Sequence, residues 1–191
     1  NNYKIKNIII PGGDSIRLLL KNVNIDFSKS YFLTDERISI KIPSNLNIKK
    51  INRLTKPNIF KNNSNFFNVP NSNKDLVKKF TLQYKNFDFK KSIIIIGFGL
   101  DGHYCSIFKK SNSKSFFKIS KKKNENFKRI SITKSFIKKF PKKNIYFLGF
   151  GKKKGLIFKS FYNEKKNFIF NDIKYLTKNI ICDLNFSKFI N

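Results

Sequence analysis

The sequence has no Ala, Met or Trp, and only two cysteines and one histidine among its 191 residues. Cys105 and Cys182 form no C-x-x-C pair, and His103 is the single imidazole, so a zinc cluster of the usual Cys/His kind cannot be assembled. So few cysteines fit a reducing compartment. Long apolar runs are missing too: none exceeds four residues, as in Ile93 to Ile96, against the roughly 20 needed to span a bilayer. No basic-then-apolar leader opens the chain, and the expectation is a cytoplasmic protein with no membrane partner. Negative charge is scarce, with 11 Asp+Glu against 41 Lys+Arg and a formal net charge of +30. A value that high ordinarily points to a polyanion. Here only four of the basic residues are Arg, and Asn, Ile, Phe and Lys are inflated together, the pattern of an A+T-biased codon supply. Lys is scattered in short runs such as Lys121 to Lys123 and Lys152 to Lys154. The charge therefore reads as solvated surface, and no specific nucleic-acid partner is expected.

The residues that are present describe a folded chain. Hydrophobic residues make up 40% and aromatics 16%, which excludes a disordered tail, and the length fits one domain over 1–191. Short apolar runs at Ile8 to Ile10, Tyr31 to Leu33, Ile93 to Ile96, Ile145 to Leu148 and Ile180 to Cys182 predict buried strands. Between them, Ser15 to Lys21, Asn73 to Tyr84, Thr133 to Phe140 and Lys152 to Phe161 carry helical spacing. Strands alternating with helices predict an α/β fold, a mostly parallel Rossmann-like sheet with helices on both faces. Lys41 to Pro70 and Ser111 to Asn126 are polar and weakly periodic and read as long loops, the second as a lid or a solvated insertion.

In an open parallel sheet, ligands bind beyond the carboxyl ends of the strands. Three post-strand loops are chemically loaded. Gly12-Gly13-Asp14-Ser15 combines glycines that admit a ligand to the backbone with a helix N-terminus that favours an anion, although the same residues make an ordinary turn and cap. Thr34-Asp35-Glu36-Arg37 sets two carboxylates and an Arg at a strand end, either a site or a surface ion pair. The third loop, Gly97 to His103, follows four isoleucines and holds the only histidine of the sequence, two residues from Asp101. His103 as general base oriented by Asp101 is the reading these residues favour. Cys105 is close enough to be a nucleophile, with packing as the simpler role.

Together these loops resemble the 6-phosphogluconolactonase family, which shares a superfamily with the glucosamine-6-phosphate deaminases. Gly12-Gly13-Asp14-Ser15 is similar to that family's GGST phosphate loop, Asp35-Glu36-Arg37 to its DER and Ser44-Asn45 to the SN that follows. Asp101 to Phe108 resembles DGHTASLF, Arg129 to Thr133 resembles RITLT, and Gly149 to Lys152 resembles a later G-x-x-K. The Ser106-Ile107-Phe108 ending favours the lactonase branch over the deaminases, which read DGHIAFNEP and DEY. The resemblance implies hydrolysis of 6-phospho-D-glucono-1,5-lactone in the pentose phosphate pathway, without metal or organic cofactor, by a monomer or small homo-oligomer whose partner is a small sugar-phosphate lactone. It implies His103 and Asp101 as the catalytic pair, and Gly12, Gly13, Asp14, Ser15, Asp35, Arg37, Asn45, Arg129 and Lys152 as the substrate and phosphate site. A deaminase-like sugar-phosphate enzyme and a non-catalytic, basic polyanion-binding relative are the alternatives. Two departures stand out. Family members open with a further strand and helix, whereas eleven residues precede Gly12 here, which predicts an uncovered sheet edge. Asp14 replaces a family Ser; as helix N-cap it turns outward, whereas turned inward it would compete with phosphate for the same donors.

Overall fold

The computed structural model describes residues 4–38, 46–55, 59, 73–84, 87–110, 113–163 and 168–190. In chain order the elements are β1 (Asn7–Ile10), α1 (Asp14–Lys21), β2 (Ser30–Leu33), β3 (Asp35–Ile38), α2 (Asn47–Asn52), α3 (Asn73–Gln83), β4 (Ser92–Gly97), β5 (Phe117–Ser120), β6 (Lys128–Ile132), α4 (Lys134–Ile137), β7 (Ile145–Gly149), α5 (Lys152–Tyr162), β8 (Ile180–Cys182) and α6 (Leu184–Ser187).

The five apolar runs all form strands, and these five pair in parallel in the order β2-β1-β4-β7-β8. Unbroken apolar runs suit this sheet because both of its faces are covered. Along β4 the period of two divides Ile94 and Ile96, which join one apolar cluster, from Ile95, which joins the other. Ile9 and Phe147 lie with the first cluster, and Ile10 and Leu148 with the second. Ile16 of α1 with Ile48 and Ile51 of α2 closes the second face. Phe136, Phe158, Phe161 and Phe186, carried by α4, α5 and α6, close the first. Where Ala, Met and Trp are absent, Phe supplies the volume. Phe161 stacks on Phe170 at 4.5 Å between centroids, and Phe98 packs against Phe170 at 5.1 Å. Such pairs add about 0.5–1.5 kcal/mol each beyond their buried area.

A second, antiparallel sheet of order β3-β6-β5 was not anticipated. It is joined to the first through Thr34, whose N–H donates to Ile10 O while its own carbonyl accepts from Ile132 N, both at 2.9 Å. The Ser111 to Asn126 stretch read as a loop thus contains β5, pinned to β6 by register from Phe117 opposite Ile132 to Ser120 opposite Arg129. Within Lys41 to Pro70 the structure describes α2, and most of the remainder lies outside the described residues. The helix expected over Thr133 to Phe140 is shorter, because after Ile137 the chain turns into Pro141. Among the described residues no helix is long and apolar enough to cross a membrane.

Candidate functional site

The carboxyl ends of β1, β4 and β7 are neighbours in the parallel sheet, so the loops that follow them share one edge of the molecule. With β3 and β6 they enclose a cavity of about 180 Å³ lined by Gly12, Gly13, Asp14, Ser15, Asp35, Arg37, Asn47, Gly97, Gly99, His103, Cys105, Arg129 and Lys154. Of the residues expected at the site, Lys152 and Asp101 do not line it, and Asn45 lies outside the described residues. Among the described residues no group of three His, Cys, Asp or Glu side chains is placed to hold a metal ion.

His103 enters from the loop after β4. Its Nδ1 meets Asp101 Oδ1, and Lys122 Nζ binds the other carboxylate oxygen, Oδ2, at 2.9 Å. Burial works to raise the Asp101 pKa, but the hydrogen bonds from Lys122 and His103 outweigh it and hold the carboxyl at about 2. An ionised carboxylate only accepts, so His103 Nδ1 carries the proton and Nε2 keeps the free lone pair. Gly99 is required here by space: a Cβ at that position would collide with the imidazole and with Asp101 Oδ1. The loop also consumes some of its own donors, since Gly99 N–H donates to His103 O at 2.9 Å and Gly102 N–H to Gly99 O at 3.1 Å. Cys105 is buried with φ of 50°, and burial pushes its thiol well above the ordinary range. A group so hard to ionise is a packing residue rather than a thiolate nucleophile.

The second sheet presents the Arg residues. Arg37 and Arg129 face each other across the β3–β6 ladder, an arrangement of like charges that is unfavourable by itself. Glu125 offsets it by accepting from Arg129 Nε at 2.9 Å and from Nη2, and the Phe127 ring lies 5.2 Å from one guanidinium and 5.1 Å from the other. Asp35 lines the same cavity, where its two oxygens accept from Thr34 Oγ1 at 2.8 Å and Ser106 Oγ at 2.6 Å, so it ties β3 to the His103 loop. Glu36 points away from the cavity into the protein. It is 1% exposed and accepts the backbone N–H groups of Arg37, Asn47 and Ile48 at 2.7, 2.8 and 2.9 Å, capping α2. Burial raises its pKa to about 7 despite those three donors. The first residue of α2, Asn47, was not anticipated; its amide packs against Gly12 and donates to Asp35 O at 3.1 Å.

On the opposite wall, Gly13 occupies the N-cap position of α1 with φ of 112°, a conformation open to glycine. That makes Asp14 the first helical residue rather than the cap. Its side chain is 94% exposed and pairs with Arg17 at 3.5 Å, the outward orientation. Ser15 turns inward, and its Oγ accepts from Lys154 Nζ at 2.9 Å. Lys154 replaces Lys152 in the site for a geometric reason. Both lie on α5, and residues two apart on a helix do not share a face, so Lys152 is exposed while Lys154 reaches the cavity. A G-x-x-K spacing also runs from Gly151 to Lys154, and the structure favours that count. Burial lowers the Lys154 pKa, with Asp14 opposing the shift, and its ammonium lies 5.3 Å from the Phe98 ring.

Comparison with known proteins bears on the family and the fold. The family model described as glucosamine-6-phosphate isomerases/6-phosphogluconolactonase matches residues 2–168. No curated protein matches the chain. Among solved structures, 6-phosphogluconolactonase from Trypanosoma brucei superposes with a TM-score of 0.70 at 14% identity, covering 96% of this chain and 85% of that one. The Plasmodium vivax enzyme gives 0.68 at 17% identity over 97% and 81%, and the Thermotoga maritima enzyme 0.67 at 15% over 95% and 86%. At these identities the likeness speaks for a shared fold, and the family match extends over most of the sequence. The chain belongs to the glucosamine-6-phosphate isomerase/6-phosphogluconolactonase family.

Proposed function

We propose that this protein hydrolyses 6-phospho-D-glucono-1,5-lactone to 6-phospho-D-gluconate, using His103 as general base and the cations of the cavity to hold the phosphate. The observation that carries the reading is the placement of one Asp-oriented imidazole in the same 180 Å³ cavity as Arg37, Arg129 and Lys154. Arg and Lys suit a phosphate because they donate charge-assisted hydrogen bonds to its oxygens. With Nδ1 keeping its proton by donating to the Asp101 carboxylate, Nε2 accepts a proton from water as the water oxygen attacks the lactone carbonyl carbon. The carbonyl π electrons move to oxygen. Collapse of that tetrahedral intermediate breaks the bond to the ring oxygen, which takes the proton back from the imidazolium; the product acid then ionises into solvent. Gly99 and Gly102 spend their N–H groups within their own loop, so neither is available to the oxyanion.

Asp35 argues against the isomerase branch, in which a carboxylate must be available to move a carbon-bound proton. Both of its oxygens are engaged by hydroxyl donors, in a role that positions the His103 loop. The test is a pH-stat assay with freshly generated lactone. Ring opening above the spontaneous rate, saturable in the phosphorylated lactone, is expected; a rate equal to the blank would end the proposal.

A further inference from the structure

We propose that Lys122 is a positioning residue for the His103–Asp101 pair: by binding the second carboxylate oxygen of Asp101 it fixes the carboxylate plane and keeps the imidazole in its Nδ1-protonated form. This rests on the reading of His103 as the base. Lys122 belongs to the polar stretch beyond β5, outside every family-like motif in the sequence. It is delivered to the site by two constraints. The β5–β6 register fixes Ser120 opposite Arg129, and Ser120 Oγ donates to Ser106 O in the His103 loop. From there Lys122 Nζ reaches Asp101 Oδ2 at 2.9 Å while Oδ1 meets His103 Nδ1.

Asp101 needs a second anchor because little else holds it. Its side chain is 47% exposed, so packing does not set the carboxylate angle, although the loop backbone beneath it is fixed by the Gly99–His103 and Gly102–Gly99 hydrogen bonds. With each oxygen committed to a different donor, rotation of the carboxylate breaks both contacts together. The Phe108 ring backs the arrangement, 4.8 Å from the His103 ring and 5.7 Å from Lys122 Nζ. An ordinary half-exposed ion pair contributes little to stability. This one differs because the far side of the same carboxylate holds the imidazole.

His103 is the only histidine in the chain, so a sample labelled with ¹⁵N-histidine gives a single set of ring-nitrogen signals and reports its tautomer without assignment. In the parent protein the neutral ring should be in the Nδ1–H form. In Lys122→Met the expected result is a mixture with the Nε2–H form and a kcat lowered about tenfold, with KM within about twofold. Lys122→Arg should restore both, and the melting temperature should stay at the parent value in each variant. A Lys122→Met protein that keeps the single tautomer, or whose loss lies in KM instead of kcat, would overturn the proposal. Absence of lactone turnover in the parent would refute the hydrolase reading, whereas the tautomer comparison would still decide the role of Lys122.

Discussion

Lys154→Met, compared with Lys152→Met, asks whether the phosphate is held by the lysine that reaches the cavity. Lys154 is desolvated, donates to the neutral Ser15 hydroxyl at 2.9 Å, and burial lowers its pKa with only Asp14 opposing. A cation in that condition gains from the arrival of a phosphate dianion, since the interaction replaces hydration already given up. A hydrogen bond to a charged group is worth about 1.5–3 kcal/mol, or roughly 10- to 150-fold in kcat/KM at 1.4 kcal/mol per decade. Lys154→Met should show a loss of that size on the phosphorylated lactone and a change of less than about threefold on unphosphorylated glucono-1,5-lactone. Removing a desolvated charge should leave stability unchanged or higher, so poor folding does not explain the loss. Lys152 is exposed on the other side of α5, and Lys152→Met should change neither substrate's kcat/KM by more than about twofold. Equal losses on both lactones in Lys154→Met, or a larger loss in Lys152→Met, would refute the assignment.

Glu36 should make stability depend on pH with a defined sign. Its carboxyl titrates near 4.5 when unfolded and at about 7 in the folded protein, so the folded state holds the extra proton between those values. The contribution is fully present below pH 4.5 and lost as pH rises through 7, about 3 kcal/mol in all at 1.36 kcal/mol per unit. Urea unfolding at pH 5 and pH 7.5 should show most of that decline in the parent and none of it in Glu36→Gln; the Asp101 carboxyl, held at about 2, titrates below this window. Asp14→Ser should leave KM for the phosphorylated lactone within about twofold, because the Asp14 side chain is 94% exposed and pairs with Arg17. A clearly lower KM in that variant would mean that Asp14 turns inward when substrate binds.

The parallel sheet was legible because its strands are unbroken apolar runs between helices, and its carboxyl edge then located the Gly12, Asp35 and His103 loops. The second sheet was not. Its strands read Asp35-Glu36-Arg37-Ile38, Phe117-Lys118-Ile119-Ser120 and Lys128-Arg129-Ile130-Ser131-Ile132, short segments whose charged positions hide a period of two. Those charges are where β3 and β6 line the cavity and where Glu36 caps α2, so function and fold compete for the same residues. Lys152 came from the resemblance of Gly149 to Lys152 to a G-x-x-K motif; only the phase of α5 tells it apart from Lys154. Asp14 was expected to cap α1, but Gly13 takes the cap because its φ of 112° starts the helix one residue earlier. Asn47 gave no signal, as its approach to Gly12 depends on α2 being held by Glu36. Lys122 lay hidden in a lysine run that composition bias explains equally well.

The proposed chemistry turns on His103. The decisive measurement is the steady-state rate of lactone opening, corrected for spontaneous hydrolysis, for the parent protein and His103→Ala at matched concentration, with melting temperatures recorded alongside. A kcat/KM reduced about 10²- to 10⁴-fold with the melting transition preserved is the predicted result. Parent-level turnover by a folded His103→Ala protein would contradict it, because no other imidazole exists in the chain to take the proton from water.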